Sequence, residues 1–289
     1  MKDAARWRFV RDALTVISLV AIAWVWVTLI QGDYFYDARA YWSVKLSDPY
    51  GESLVGRAAT YLYTPAFAQL IWPATLLSWP VFAAAFSALN LAALIWMTGP
   101  ILAAVLLFAP LSPVRDEITT GNIHLLIAVA IVLGFRHAGT WAFPLLTKVT
   151  PGVGVLWFAG ARAWRSLAIA AGVTAAIVGV SFIVAPGAWR DWFELLVRSS
   201  EVPVPGEIGV VPGPLWLRTV IAGVAVVAGG WFGWRWIVPI AAFVALPVTW
   251  SSGLSILVAI FPIVLGTMWW RSFGRPRERA IDTPTSAEA

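Results

Sequence analysis

The chain is 289 residues long, 60% hydrophobic and only 12% charged, a composition that excludes an ordinary soluble domain. Its net charge of +5 does not point to nucleic acid, because the basic excess lies near the two ends, at Lys2, Arg6, Arg8 and Arg11 and at Arg271, Arg275, Arg277 and Arg279. With no cysteine present, disulfides, thiol catalysis and cysteine–zinc sites are excluded as well.

Apolar runs at 13–30, 81–97, 166–185, 215–231 and 253–269 are long enough to cross a hydrocarbon core of about 30 Å. The alternating polarity of a β-barrel is absent. The expected fold is an all-α polytopic membrane bundle forming a single domain over residues 1–272, followed by a disordered cytoplasmic tail at 273–289. The basic residues flanking the first and last runs place both termini in the cytoplasm by the positive-inside rule. The first run is longer than a signal-peptide core, and the small-residue Ala38-Arg39-Ala40 lies well beyond it, so it is read as a retained helix.

The first helix delivers an external loop at 31–64, rich in aromatic and charged side chains. Residues 65–79 read as a helix in the outer interface, with Trp72 and Trp79 at headgroup depth. Helices over 81–98 and 101–111 lead in and out again to a second external loop at 112–122, and 123–133 returns inward to Arg136 and His137. The pieces 141–146 and 153–159 each rise only about 10–15 Å. A hairpin of two short helices with Lys148 at its outer tip keeps the positive-inside rule for every later loop. One kinked helix with Lys148 buried midway and Pro151 as the kink would reverse them.

Residues 166–185 lead to a third external loop at 186–214, which opens with an amphipathic interfacial helix and continues through a Pro- and Gly-rich stretch carrying Glu201 and Glu207. Three more helices complete a count of about ten short or full crossings. No internal repeat is visible, which argues against an inverted-repeat transporter.

The charged residues between apolar runs separate into two groups. Asp33, Asp37, Arg115, Asp116, Glu117 and Lys148 fall on one side in this topology, and Arg136, His137, Arg162, Arg165, Arg235 and Arg271 on the other. Asp37 is either a solvated loop carboxylate or a general base whose basicity partial desolvation raises; Asp33 has the same ambiguity. Arg115 suits bidentate phosphate binding, and Asp116 and Glu117 suit a sugar or a divalent cation, although an internal salt bridge is an equal reading. Lys148, one of three lysines against seventeen arginines, is costly between apolar helices without an anionic partner, either a phosphate diester or a carboxylate of another loop. His124 reads as a helix-end residue near the outer face, and Tyr61 and Tyr63 as interface aromatics able to stack on a sugar. No metal-ligand spacing and no phosphate-binding glycine loop occurs, so no cofactor is expected, with a divalent cation as the alternative.

Asp37-x-x-x-Tyr41, Tyr61-x-Tyr63-x-Pro65, Gly121-Asn122, Lys148-x-Thr150-Pro151 and Pro247-x-Thr249-Trp250 occur in an order that resembles glycosyltransferase family 87, of the GT-C superfamily, from the first helix to about Trp250. That family includes polyprenol-phosphate-mannose-dependent α-mannosyltransferases of the actinobacterial envelope. The resemblance implies a GT-C-like bundle in the bacterial cytoplasmic (inner) membrane, with its active site facing outside. It implies inverting transfer of a sugar, mannose in relatives, from a polyprenyl-phosphate donor to a glycolipid or polysaccharide hydroxyl. Asp37 would be the general base and Lys148 would hold the donor phosphate; Arg115 is added as a second phosphate ligand from loop proximity alone. Tyr41, Tyr61, Tyr63, Asp116, Glu117, Asn122, His124, Trp250 and Ser252 are the candidates for sugar and acceptor contacts.

Two departures stand out. The family's Gly-Gln-x-Asn reads Gly121-Asn122-Ile123-His124 here, and the histidine expected two residues after Trp250 is Ser252. The chain is also shorter than is usual in the family, so a reduced acceptor site or a partner subunit is expected. The alternative function is a non-catalytic lipid-linked-sugar binder or flippase-like protein, for which Asp37→Asn would leave function intact.

Overall fold

A computed structural model describes residues 2–32, 34–51, 60–201 and 210–266. Asp33, Glu207, Arg271 and the tail at 273–289 lie outside the described residues. All regular structure within them is helical.

Among the described residues, fourteen α-helices follow in order: α1 Lys2–Ile30, α2 Tyr36–Trp42, α3 Pro65–Thr75, α4 Trp79–Thr98, α5 Pro100–Phe108, α6 Pro113–Thr120, α7 His124–Gly134, α8 Ala142–Thr147, α9 Trp157–Gly160, α10 Trp164–Val184, α11 Pro186–Glu201, α12 Leu215–Phe232, α13 Ile237–Val244 and α14 Ile260–Leu265. Tighter 3₁₀ turns over Ala138–Trp141, Thr150–Leu156 and Ser251–Ala259 adjoin α8, α9 and α14. Proline punctuates the starts of α3, α4, α5 and α6 within their first two residues, where its missing N–H has no helical partner to lose.

Among the described residues, four helices are long and apolar enough to cross a membrane: Ala5–Ile30 within α1, then α4, α10 and α12. The pair α6 and α7, bent by 111°, makes up to a fifth span. The count of about ten crossings includes short ones, and several apolar runs, such as those of α5, α8 and α9, break into pieces too short to span alone. Only 11% of the α1 and α10 windows is buried against half of the α4 window, so α1 and α10 present most of their apolar surface outward and α4 is the more enclosed helix.

The centre of the bundle is α7, which is apolar on every side, the pattern of a helix enclosed by others. Ile123, Ile127 and Ile131, spaced four apart, pack into one core with Tyr41, Phe67, Trp141 and Trp157. Leu125 and Ala128 pack into a second core with Ile22, Leu94, Leu107 and Ile118. The N-terminal end of this wall between two cores carries Asn122 and His124.

Between α8 and α9 the chain folds back on itself. A Cβ on Gly154 would stand 2.4 Å from the Trp141 ring, and one on Gly152 would stand 2.3 Å from Leu145. Residues running forward from 141 thus face residues running back from 154, whereas one kinked helix would separate that pair by about 20 Å. The reversal is a γ-turn at Val149 (φ 49°, ψ −66°), closed by Thr150 N–H donating to Lys148 C=O at 2.6 Å. A β-branched residue at positive φ is strained, so packing on both sides must hold this turn.

Candidate active site

The short helix α2 brings Asp37 to the site. It starts from Phe35, a buried residue in the left-handed conformation (φ 67°) whose N–H donates to Thr119 C=O of α6 at 2.8 Å. Gly121, which ends α6 at φ 71°, receives Ala38 of α2; a Cβ there would lie 2.7 Å from the Ala38 Cβ. The absence of a side chain at Gly121 therefore lets α2 lie on the bend between α6 and α7. Asp37 and Tyr41 are four residues apart and share a face of α2.

Asn122 orients the aspartate. Its Oδ1 accepts the Ile123 N–H at 2.8 Å, which leaves Nδ2 to donate to Asp37 Oδ2 at 2.7 Å. The other carboxylate oxygen, Oδ1, has no hydrogen-bond partner among the described residues. Tyr41 is fully buried, reaches Asn122 Oδ1 at 3.5 Å and pairs hydroxyl to hydroxyl with Tyr63 at 2.8 Å. Burial pushes the Asp37 carboxyl above the usual carboxylate range, with Glu117 adding to the rise; Lys148 and the Asn122 hydrogen bond pull it partly back.

Lys148 arrives from the other direction. Its ammonium lies 5.8 Å from the centre of the Tyr63 ring and makes no hydrogen bond or ion pair among the described residues, though its charge acts on Asp37. Thr64 fastens the two segments together: it caps α3 ahead of Pro65, and its hydroxyl donates to Leu146 C=O, two residues before Lys148. The Tyr61-x-Tyr63-x-Pro65 and Lys148-x-Thr150-Pro151 motifs are therefore neighbours in space. Within the first of them Tyr63 is half-buried between Tyr41 and Lys148, whereas Tyr61 is 4% exposed and donates to Thr64 C=O at 3.0 Å.

The other candidates divide. Glu117 and His124 are buried and bonded to each other, His124 Nδ1 to Glu117 Oε2 at 2.8 Å. Asp116 accepts from the Ser251 hydroxyl at 2.9 Å, which ties α6 to the segment with exposed Trp250 and buried Ser252. The charges of Asp37, Asp116 and Glu117 all act on the Tyr36 phenol, so that tie belongs to the same neighbourhood. Arg115 is exposed, and its side chain makes no hydrogen bond or ion pair among the described residues.

Sequence reasoning passed over Arg218. This buried residue near the start of α12 donates to the carbonyls of Gly213, Val244, Leu246 and Pro247 at 2.9–3.1 Å, anchoring the turn before Thr249 and Trp250. Its signal was an arginine inside an apolar run, which must find acceptors wherever it is buried.

Residues 61–281 match glycosyltransferase family 87. A stretch of 111 residues is 32% identical to a polyprenol-phosphate-mannose-dependent alpha-(1-2)-phosphatidylinositol pentamannoside mannosyltransferase of Mycolicibacterium smegmatis (strain ATCC 700084 / mc(2)155). That alignment covers 36% of this chain and 26% of the relative, so the chain spans about a quarter of the relative's length. No solved structure gives a significant match. The family match begins at Tyr61, so Asp37 and Tyr41 enter the site from α2, upstream of the matched region. Matched over most of its length and built of apolar helices, the chain belongs to glycosyltransferase family 87 and is a multi-pass membrane protein.

Proposed function

We propose that this chain is a membrane glycosyltransferase that moves a sugar, mannose in the first instance, from a polyprenyl-phosphate donor to an acceptor hydroxyl. The observation that carries this reading is the state of Asp37: one oxygen held by Asn122, the other open, and an unpaired ammonium at Lys148 acting on it. A base and a cation so arranged suit a displacement in which an acceptor hydroxyl attacks the anomeric carbon. Asp37 Oδ1 takes the hydroxyl proton as the new C–O bond forms. The bond from the anomeric carbon to the phosphate oxygen breaks, and polyprenyl phosphate leaves with the electron pair. Lys148 offsets the charge that collects on the leaving phosphate, with exposed Arg115 as a second cation.

One carboxylate is enough for such a single displacement with inversion; a second one, acting as nucleophile, is not required. The remaining nearby carboxylates have other partners: Asp116 holds Ser251, and Glu117 holds His124. In this reading side chains supply the positive charge without a metal. Tyr63 and Trp250 are the candidate walls for the sugar and the acceptor; buried Tyr41 backs Tyr63 through their hydroxyl contact, and Ser252 is buried two residues after Trp250. The relative named above supports a polyprenyl-phosphate donor and a glycolipid acceptor. The proposed setting is the outer face of the bacterial cytoplasmic membrane, with both termini inside.

The test is transfer of mannose from a synthetic short-chain polyprenyl-phosphate mannose to membrane glycolipid, comparing the full chain with Asp37→Asn. Turnover is expected to fall by about 10²–10⁴-fold while donor binding persists. Equal turnover in both proteins would overturn the assignment of Asp37. Donor binding without turnover in either would favour the non-catalytic binder, with Ser252 as the departure that explains it.

A further inference from the structure

Glu117 lies on α6 and is wholly buried, yet its carboxylate has three donors. Oε1 accepts the backbone N–H of His124 and, at 3.4 Å, that of Leu125; Oε2 accepts from His124 Nδ1 at 2.8 Å. The two amides are the first of α7, which has no side-chain cap at Ile123. Glu117 therefore caps α7 from the helix before it, across the 111° bend, and replaces the water that these amides would otherwise need.

This cap is connected to Asp37 by a short chain of bonds. Asn122 N–H donates to Glu117 C=O at 3.2 Å, and Ile123 N–H fixes the Asn122 amide so that Nδ2 meets Asp37. The rotation of the Asn122 amide thus depends on the backbone at 122–124, and that backbone is held by the Glu117 carboxylate. His124 completes the clamp by holding the second carboxylate oxygen. Its Nε2 is buried and has no partner among the described residues, which fits an imidazole protonated at Nδ1, where an unused acceptor costs less than an unused N–H.

We infer that Glu117, clamped by His124, is a positioning residue for Asp37, acting through Asn122. The inference rests on the reading of Asp37 as the base. It has an electrostatic corollary. Asp37 is faced by the phenols of Tyr36, Tyr41 and Tyr63, by Lys148 and by Glu117; Arg39 on its own helix lies over Trp79, at 4.5 Å. Among these, Glu117 supplies the carboxylate charge that raises Asp37. Neutralising it lowers the Asp37 pKa, so activity that requires ionised Asp37 should persist to lower pH.

The experiment measures kcat, donor KM and the pH profile with the short-chain donor for the full chain and for Glu117→Gln, His124→Asn, His124→Leu and Asp37→Asn. Glu117→Gln keeps an acceptor for the α7 amides but loses the charge and the His124 contact. Its kcat is expected to fall about tenfold with donor KM within about twofold and with the acid limb moved to lower pH. Asn places its Nδ2 close to the position of a histidine Nδ1, so His124→Asn should keep most of kcat while His124→Leu falls with Glu117→Gln. A kcat within about twofold of wild type in Glu117→Gln, or a donor KM that rises in step with the loss of kcat, would leave Glu117 merely structural and overturn the inference. Equal loss in His124→Asn and His124→Leu would also overturn it, by showing that the Nδ1 contact with Glu117 is not what the loss reports. Should Glu117→Gln fail to fold, the two His124 variants read the same contact. Full turnover in Asp37→Asn would instead remove the base assignment, a failure distinct from the others.

Discussion

Charged side chains gather in two regions of this molecule, and the physical state of the charges differs between them. Around α2 and the bend between α6 and α7, carboxylates are buried or half-buried and held by specific donors: Asp37 by Asn122, and Glu117 by His124 and two amides. Around the far end of α12, about 20 Å along the helix from Arg218, guanidinium groups are exposed and lie over aromatic faces. Arg162 is 4.6 Å from the Trp231 ring, and Arg235 is 5.4 Å and 5.6 Å from those of Phe135 and Trp157. Desolvation makes a charge chemically responsive, as at Asp37, whereas an exposed cation on an aromatic face keeps its hydration and serves to anchor. The same residue classes therefore carry different functions in the two regions.

The contrast is best tested at Lys148. Lys148→Met removes the cation that acts on Asp37 and is expected to lower kcat/KM by about 10²–10³-fold, the cost of losing a group that stabilises developing charge. Lys148→Arg should recover part of that loss. A turnover near wild type in Lys148→Met would transfer the phosphate role to Arg115.

Asn122→Ala comes next, at about 10–30-fold in kcat, because the base survives but loses its orientation. The pH profile supplies the sign. The Asn122 hydrogen bond lowers the Asp37 pKa, so its loss raises that pKa and moves the acid limb to higher pH. That is the opposite direction from Glu117→Gln. A limb that moves to lower pH in Asn122→Ala would mean that the titrating group is not Asp37.

Val149→Gly should have a smaller effect. Glycine accepts positive φ without strain, so thermal stability in detergent is expected to hold or rise slightly, while a looser Lys148 turn lowers turnover about threefold. Unchanged turnover would show that strain at Val149 has no part in presenting the lysine. The smallest effect is expected on the other side of the comparison. Arg162→Ala should leave turnover within about twofold of wild type, since an exposed cation–π contact is weak. A loss as large as that of Asn122→Ala would erase the distinction between the two regions.

Chain order and hydropathy made much of this fold legible. The apolar runs that became α4, α10 and α12 are local features, since about 20 apolar residues in water or lipid have few alternatives to a helix. The motif order identified the family and the residues to examine. It did not show that Tyr61 is buried with its hydroxyl bonded to Thr64, or that Glu117 and His124 face each other instead of an open cleft. Those outcomes depend on which side chains meet across the bend between α6 and α7, and a one-dimensional pattern does not hold that information.

By itself the sequence determined the class of molecule and its cast of chemically active residues, because composition and helical apolar runs are properties of neighbouring residues. Only the tertiary structure decided which residues act together. Asp37, Asn122, Lys148 and Tyr63 come from four separate segments, and their meeting requires Gly121 to admit α2 and Thr64 to bind the end of α8. Such contacts are long-range: each is stabilised by packing over the whole bundle, and no single segment contains the reason for it.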